Sequence, residues 1–313
     1  MGVEMRGQKI GKMQGEDVYS FKESFEYQNM EKEQDILNSG FDKSKVLVLG
    51  KGFLGKQFEK NGHTVWGRDK FEWCDREYDE FDQIDWVYDN VLSGFDIIIN
   101  TIGSSNTRWC EEVKNWDSVF YNNSELPRIL SKACSNWGNK KLVHISSGCV
   151  YDQNNEPQTE DGFLASHCRY VVSKLSGEFN CNPERDLILR PRLFFGESED
   201  KNNLLCKLSR FDKFLTEMNS YTSVQTIVEA TEALLKGNAS GIFNVAQEGY
   251  ANLHEIAKWI GKENPSKMSG SQLRDQEGLY LVNNVLDISK LKEFYQPRTI
   301  QEEIMSCWQE LNK

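Results

Sequence analysis

The chain reads as an α/β protein, a doubly wound parallel sheet with a smaller α/β lobe. Three observations carry that reading. Short, almost wholly apolar runs recur from residue 45 onward, stretches of helix length separate them, and the first run ends in a glycine-rich loop. Strands that alternate with helices imply right-handed crossovers, and hence a parallel sheet covered on both faces.

Residues 1–42 are polar and charge-rich, with no sustained apolar period, and read as an extension that is disordered or partly helical. At Lys45 the texture changes to Val-Leu-Val-Leu closed by Gly50, the pattern of a strand buried on both faces. Runs at 64–66, 95–100, 141–146 and 186–190 supply four more strands, and the stretches 117–137 and 168–179 supply helices between them. The sheet domain therefore spans 43–190. Beyond Pro191 the pattern loosens into a strand-like run at 241–245 and helix-like stretches at 224–235, 253–260 and 299–311. Residues 191–313 thus read mainly as a ligand-binding lobe with some return to the main sheet.

With 313 residues, 38% of them apolar and 27% charged, the composition is that of an ordinary globular protein. Acidic residues outnumber basic ones 48 to 37, and a net charge of −11 opposes a phosphate backbone, so no nucleic-acid partner is expected. No apolar run approaches the roughly 18 residues of a membrane span, and the N-terminus has no signal-peptide pattern, so no membrane partner is expected either. Eight cysteines without a CxxC pair fit a reduced cytoplasm. Four histidines, none in an HExxH pattern, give no metal site.

The loop from Gly50 to Gly55 matches GxGxxG, and its context is a strand before and a helix opening near Phe53. Gly50 permits a tight turn, Gly52 lets the backbone approach a pyrophosphate, and Gly55 allows close helix packing, while the helix N-terminus at Phe53 and Leu54 faces the phosphates. The stretch Thr101-Ile102-Gly103 joins this cofactor-contacting set. After the second strand comes Arg68, placed to accept the 2′-phosphate of NADP(H) in preference to NAD(H). Asp69 beside it pulls the other way, and Arg68 as a solvated turn residue stays open.

Tyr170 and Lys174 stand at i and i+4, one turn apart on a helical face. An ammonium there favours phenolate and lowers the Tyr pKa, which suits a proton donor to a carbonyl oxygen. Lys174 can also hold the nicotinamide ribose. The pair follows a strand ending at Ser146 and Ser147, where the Ser147 hydroxyl can polarise the same carbonyl.

Together, the loop from Gly50 to Gly55, the Ser147 to Tyr151 stretch and the Tyr170 to Lys174 motif resemble the extended short-chain dehydrogenase/reductase family over about residues 45–313. Residues 189–196 are similar to that family's strand leading into the sugar-binding lobe, and residues 241–246 and 284–290 resemble segments of its dTDP-4-dehydrorhamnose reductase branch. The resemblance implies reduction of the C4 ketone of a nucleotide-linked 4-keto-6-deoxyhexose, with Arg192 and Asn203 on the substrate; a homodimer is compatible with it. A finer likeness to the bifunctional 3,5-epimerase/4-reductases that make UDP-rhamnose, and to GDP-fucose synthases, implies an acid/base role for Cys149. Residues 203–208 are similar to the segment that carries a second acid/base lysine in the rhamnose enzymes, which maps onto Lys207. The ketone acidifies the C3 and C5 protons, so one thiolate and one ammonium can invert those centres before reduction.

The residues alone leave plainer readings open: Cys149 as a small core residue on a buried strand, Lys207 as a solvated helix residue. The glycine loop is one residue shorter than that family's usual GxxGxxG, and 162–169 lacks the proline-containing segment common before the catalytic Tyr. Two other functions share these motifs. One is a non-catalytic NADP(H)-binding regulatory subunit, which need not keep Ser147, Tyr170 and Lys174 together. The other is an NAD-dependent nucleotide-sugar C4 epimerase, which would retain its cofactor through purification.

Overall fold

The computed structural model describes residues 8–13, 16–20, 41–70, 80–136, 140–152, 156–165, 167–277 and 282–313. The chain forms two compact units, Met1–Asp42 and Lys43–Lys313. In the first, β1 (Gln8–Met13) and β2 (Glu16–Ser20) pair antiparallel, with a register irregularity between Lys9 and Gly11. At residues 8–13 and 16–20 the structure differs from the expected disorder or partial helix; residues 1–7, 14–15 and 21–40 of that extension lie outside the described residues. Strand pairing meets the backbone's hydrogen-bonding need without the apolar period on which the sequence reading relied.

The second unit is built on a six-stranded parallel sheet. β3 (Val46–Leu49) is wholly buried and lies between β4 (Thr64–Trp66) and β5 (Ile97–Asn100). β6 (Lys141–Ile145) and β7 (Leu187–Pro191) extend the sheet from β5, and one side of it packs Leu47, Leu49, Ile98, Leu142 and Ile188 into a common core. β3 to β6 are apolar because helices cover both faces of such a sheet. The helices α1 (Phe53–Lys60), α2 (Glu80–Val87), α3 (Thr107–Glu111), α4 (Trp116–Phe120), α5 (Leu126–Asn136) and α6 (Arg169–Phe179) fall between the strands.

The stretch expected as one helix over 117–137 is instead α4 and α5 joined by a π-helical turn, Tyr121–Glu125, with residue 137 outside the described residues. The wider turn carries Asn123, which is fully buried and donates to Ser173 Oγ of α6 (2.9 Å) and to Ser104 O (3.0 Å). Such turns occur where a helix must present a side chain out of its regular phase. α6 lies so close that a Cβ on Gly177 would sit 2.1 Å from Asn123 O.

The C-terminal part has its own core. After β7, short strands pair in parallel: β8 (Phe194–Phe195) with β10 (Thr222–Ser223), and β9 (Lys213–Leu215) with β12 (Ser266–Met268). Phe195, Leu205, Phe214, Tyr221, Ile256 and Ile304 bury one another there. β11 (Gly241–Val245) leaves this part and closes the main sheet beside β7, giving the order β11-β7-β6-β5-β3-β4. The short helix α7 (Leu204–Leu208) follows β8, and α8 (Val224–Lys236) starts at Ser223, whose hydroxyl caps Thr226 N.

Candidate active site

The glycine loop is shaped by two contacts. Gly50 has φ +105°, a region that side chains disfavour, and a Cβ on Gly55 would lie 1.8 Å from Gly50 O. Gly52 differs, with no atom within 4 Å of its Cβ position, and it starts α1 without a side-chain cap. An open face next to uncapped helical N–H groups suits a pyrophosphate, so the residues present fit a dinucleotide cofactor. Phe53 and Leu54 bury their side chains in the core, at the first turn of α1, where N–H groups have no intrahelical partner.

The second cofactor stretch lies against the first. Thr101 Oγ1 donates to Leu49 O (2.8 Å) and Gly50 O (3.1 Å), and the Ile102 side chain comes within 3.0 Å of the Gly50 Cβ position. Gly103 continues toward α6, its Cβ position 3.6 Å from Lys174 Nζ. Arg68 opens a 3-10 turn (Arg68–Lys70) directly after β4; its side chain lies outside the described residues.

Ser147, Tyr170 and Lys174 meet at the end of β6. Ser147 Oγ accepts from Cys149 N (3.1 Å), and the Ser147 hydroxyl acts on the Tyr170 phenol, favouring its ionised form. Lys174 Nζ donates to Ile145 O at 2.7 Å. Tyr170 departs from expectation, because its acidity falls rather than rises. Burial of the phenol, with Cys149 adding to it, pushes its pKa well up, and the Ser147 hydroxyl only partly opposes this. Burial also lowers Lys174, from its ordinary 10.5 to about 8, against the opposing charge of Glu178.

Cys149 is not on the strand itself. It sits in the 3-10 turn Gly148–Val150 that follows β6, half-buried, and its Sγ accepts from Arg192 Nη1 at 2.6 Å. The reading of a packed strand residue is thereby replaced by a thiol facing a guanidinium. Lys207 is not brought to it: exposed on α7, it donates to Asn202 O at 3.4 Å. Asn203 is also corrected. Its amide donates to Gly196 O and Ser198 O (both 2.8 Å) and accepts from Leu205 N and Gly196 N, which exhausts an Asn side chain in capping α7.

Sequence reasoning passed over Glu178 and Arg190. Glu178 stands one further turn along the face of Tyr170 and Lys174, and Arg190 grips it bidentately (2.6 and 3.0 Å) with both side chains under 5% exposed. The signal was present as two charges in otherwise apolar segments, each needing a buried partner.

Residues 46–207 match the NAD dependent epimerase/dehydratase family. A trifunctional UDP-glucose 4,6-dehydratase/UDP-4-keto-6-deoxy-D-glucose 3,5-epimerase/UDP-4-keto-L-rhamnose-reductase of Arabidopsis thaliana is 26% identical over 86% of this chain, which spans only 42% of that relative's length. A bifunctional dTDP-4-dehydrorhamnose 3,5-epimerase/dTDP-4-dehydrorhamnose reductase of the same organism is 24% identical, over 89% of this chain and 97% of its own. Two crystal structures share the fold. A UDP-rhamnose synthase of Acanthamoeba polyphaga mimivirus has a TM-score of 0.72 at 19% identity, covering 85% of this chain and 99% of that one. A dTDP-4-dehydrorhamnose reductase of Bacillus anthracis in complex with NADP has a TM-score of 0.73 at 20% identity, covering 86% and 100%.

The depressed pKa of Lys174 has a measurable sign. Between about 8 and 10.5 the unfolded chain holds the proton that the folded chain has lost, so this group's contribution to stability rises with pH through that window. Below pH 8 the fold carries the full cost of a buried charge. The stability of Lys174→Met relative to wild type should therefore be most favourable at about pH 7 and decline toward about pH 10. Urea unfolding of both proteins at the two pH values measures this, and a difference that does not change with pH contradicts it.

Proposed function

This chain belongs to the NAD dependent epimerase/dehydratase family, and from that premise we propose that it reduces the C4 ketone of a nucleotide-linked 4-keto-6-deoxyhexose, with 3,5-epimerisation at the same site. The observation that carries the reading is the convergence of Ser147, the buried Tyr170 phenol and Lys174 at the end of β6, with Tyr170 and Lys174 on one helix face, reached from the glycine loop through Thr101 and Gly103. A pure binding subunit has no need of a hydroxyl beside a buried phenol.

When bound, a reduced nicotinamide supplies a hydride to the carbonyl carbon. The chain's own residues handle the proton. The raised pKa keeps Tyr170 protonated near neutral pH, so it donates to the ketone oxygen as negative charge develops there. The Ser147 hydroxyl, beside the same phenol, polarises that oxygen. Lys174 brings an ammonium to the end of β6 and, from beside Gly103, would hold the cofactor's ribose. Arg192, only 3% exposed, keeps one donor, Nε, without a partner among the described residues, and this fits a substrate oxygen.

For the epimerase half, the support is Cys149 in contact with Arg192 and electrostatically linked to Tyr170. A thiol that gives up its proton to take one from C3 or C5 leaves an anion, and the guanidinium supplies compensating charge. Lys207 enters only through the resemblance. NADPH in preference to NADH is supported by the place of Arg68 after β4 and by the NADP in the similar Bacillus anthracis structure.

Tyr170→Phe should lower NADPH oxidation with a 4-ketosugar nucleotide by about 10²–10⁴-fold while leaving cofactor affinity largely intact. Near-normal turnover in steady-state assays would remove Tyr170 from the role of acid. The kcat/KM of the wild type should favour NADPH over NADH, and Arg68→Ala should erode that preference; equal use of both cofactors by the wild type sinks it. Cys149→Ser should stop deuterium wash-in at C3 and C5 of a 4-keto-6-deoxyglucose nucleotide, followed by NMR without NADPH, because a hydroxyl is a far poorer base. Absence of wash-in by the wild type would leave a simple 4-reductase.

A further inference from the structure

We propose that Asn219 and Asn284 are positioning residues for Cys149, fixing from a remote part of the chain both the turn that carries the thiol and the guanidinium that faces it. The proposal rests on the reading of Cys149 as an acid/base.

Asn284 holds the turn. Its Nδ2 donates to Gly148 O (3.1 Å) and Tyr151 O (3.2 Å), the carbonyls on either side of the turn, while Ser147 Oγ accepts from Cys149 N. The Leu286 side chain packs within 3.0 Å of the Gly148 Cβ position. The backbone around Cys149 is therefore pinned by a segment more than 130 residues later.

Asn219 holds the charge. Its Oδ1 accepts from Arg192 Nη2 (2.6 Å) and from Asn284 N (3.1 Å), and its Nδ2 donates to Asn283 Oδ1 (2.9 Å). One amide oxygen thus joins the residue that fixes the turn to the one that faces the sulfur. Arg192 Nη2 also donates to Val282 O, and Nη1 is left for Cys149 Sγ.

The chemistry of these acceptors matters. The groups that bond the Arg192 guanidinium are an amide, a backbone carbonyl and the thiol, and among the described residues no carboxylate pairs with it. Two residues earlier, Arg190 is neutralised by Glu178. Neutral acceptors orient a guanidinium without consuming its charge, so that charge remains available to an anion forming on Cys149 or on the enolised sugar. An amide at 219 is what this requires, since a carboxylate there would compete with the sulfur for the guanidinium, and an amide at 284 supplies the N–H donors that hold the turn.

Asn219→Asp tests the idea, because it keeps an acceptor of the same size and reach while adding a negative charge. Two rates are compared in the full-length protein: deuterium wash-in at C3 and C5 of a 4-keto-6-deoxyglucose nucleotide without NADPH, and NADPH-dependent reduction of a 4-keto-L-rhamnose nucleotide, whose centres are already inverted. The ratio of wash-in to reduction should fall by at least about tenfold, the worth of one neutralised charge beside a reacting anion. A merely structural Asn219 predicts an unchanged ratio, and a ratio within about twofold of wild type overturns the proposal. If Asn219→Asp does not fold, Asn219→Ser, which removes the shared acceptor without adding charge, is judged by the same ratio. Absence of wash-in by the wild type would instead overturn the reading of Cys149 itself.

Discussion

The architecture of the site depends on one buried ion pair. Arg190 of β7 and Glu178 of α6 are almost without solvent, and the elements that carry the hydroxyl, phenol and ammonium of the site are tied to them. Ser146, next to Ser147, donates to Glu178; Arg190 Nη1 donates to Tyr151 OH (2.8 Å) and Glu160 O (3.0 Å), and its guanidinium stacks 4.8 Å from the Tyr151 ring. Tyr151 OH donates in turn to Asn244 Oδ1 of β11. The helix of Tyr170 and Lys174, the strand end of Ser147, the turn after Cys149 and the closing strand are thus held in one network. Desolvation makes such a pair a doubtful source of net stability, but loss of one partner strands a charge in the core at a cost of about 3–5 kcal/mol. Its value here is orientation, because competing arrangements leave Glu178 or Arg190 unpaired.

The two arginines of this segment divide the work. Arg190 is consumed by its carboxylate and serves architecture; Arg192, bonded to neutral groups, keeps its charge. Burial acts on Tyr170 in a similar way. Its phenol is buried beside a thiol, which raises its pKa and keeps the proton in place.

Much of this was legible in the sequence, where local pattern and tertiary environment agree. β4 and β11 fall on the residues that periodicity marks, and the glycine loop and the Tyr170 to Lys174 motif sit at the strand and helix ends that their chemistry needs. The departures share a cause, in that each depends on contacts that a periodic residue pattern does not show. The π turn at Asn123 is defined by Ser104 and Ser173, and the capping role of Asn203 by the backbone at Gly196 and Ser198. The direction of the Tyr170 shift follows from burial, which no i, i+4 spacing reveals. The hairpin of β1 and β2 rests on backbone pairing without an apolar alternation to announce it.

The central claim is that Ser147, Tyr170 and Lys174 are arranged around a ketone at the end of β6, where a sugar C4 meets the cofactor. The most direct measurement follows one atom. NADPH deuterated at C4 of the nicotinamide is incubated with the protein and a UDP- or dTDP-linked 4-keto-6-deoxyglucose, and the product is identified by NMR. The account predicts a 6-deoxyhexose nucleotide with deuterium at C4 of the sugar. A ketosugar recovered unreduced, or reduced without deuterium at that carbon, would contradict it.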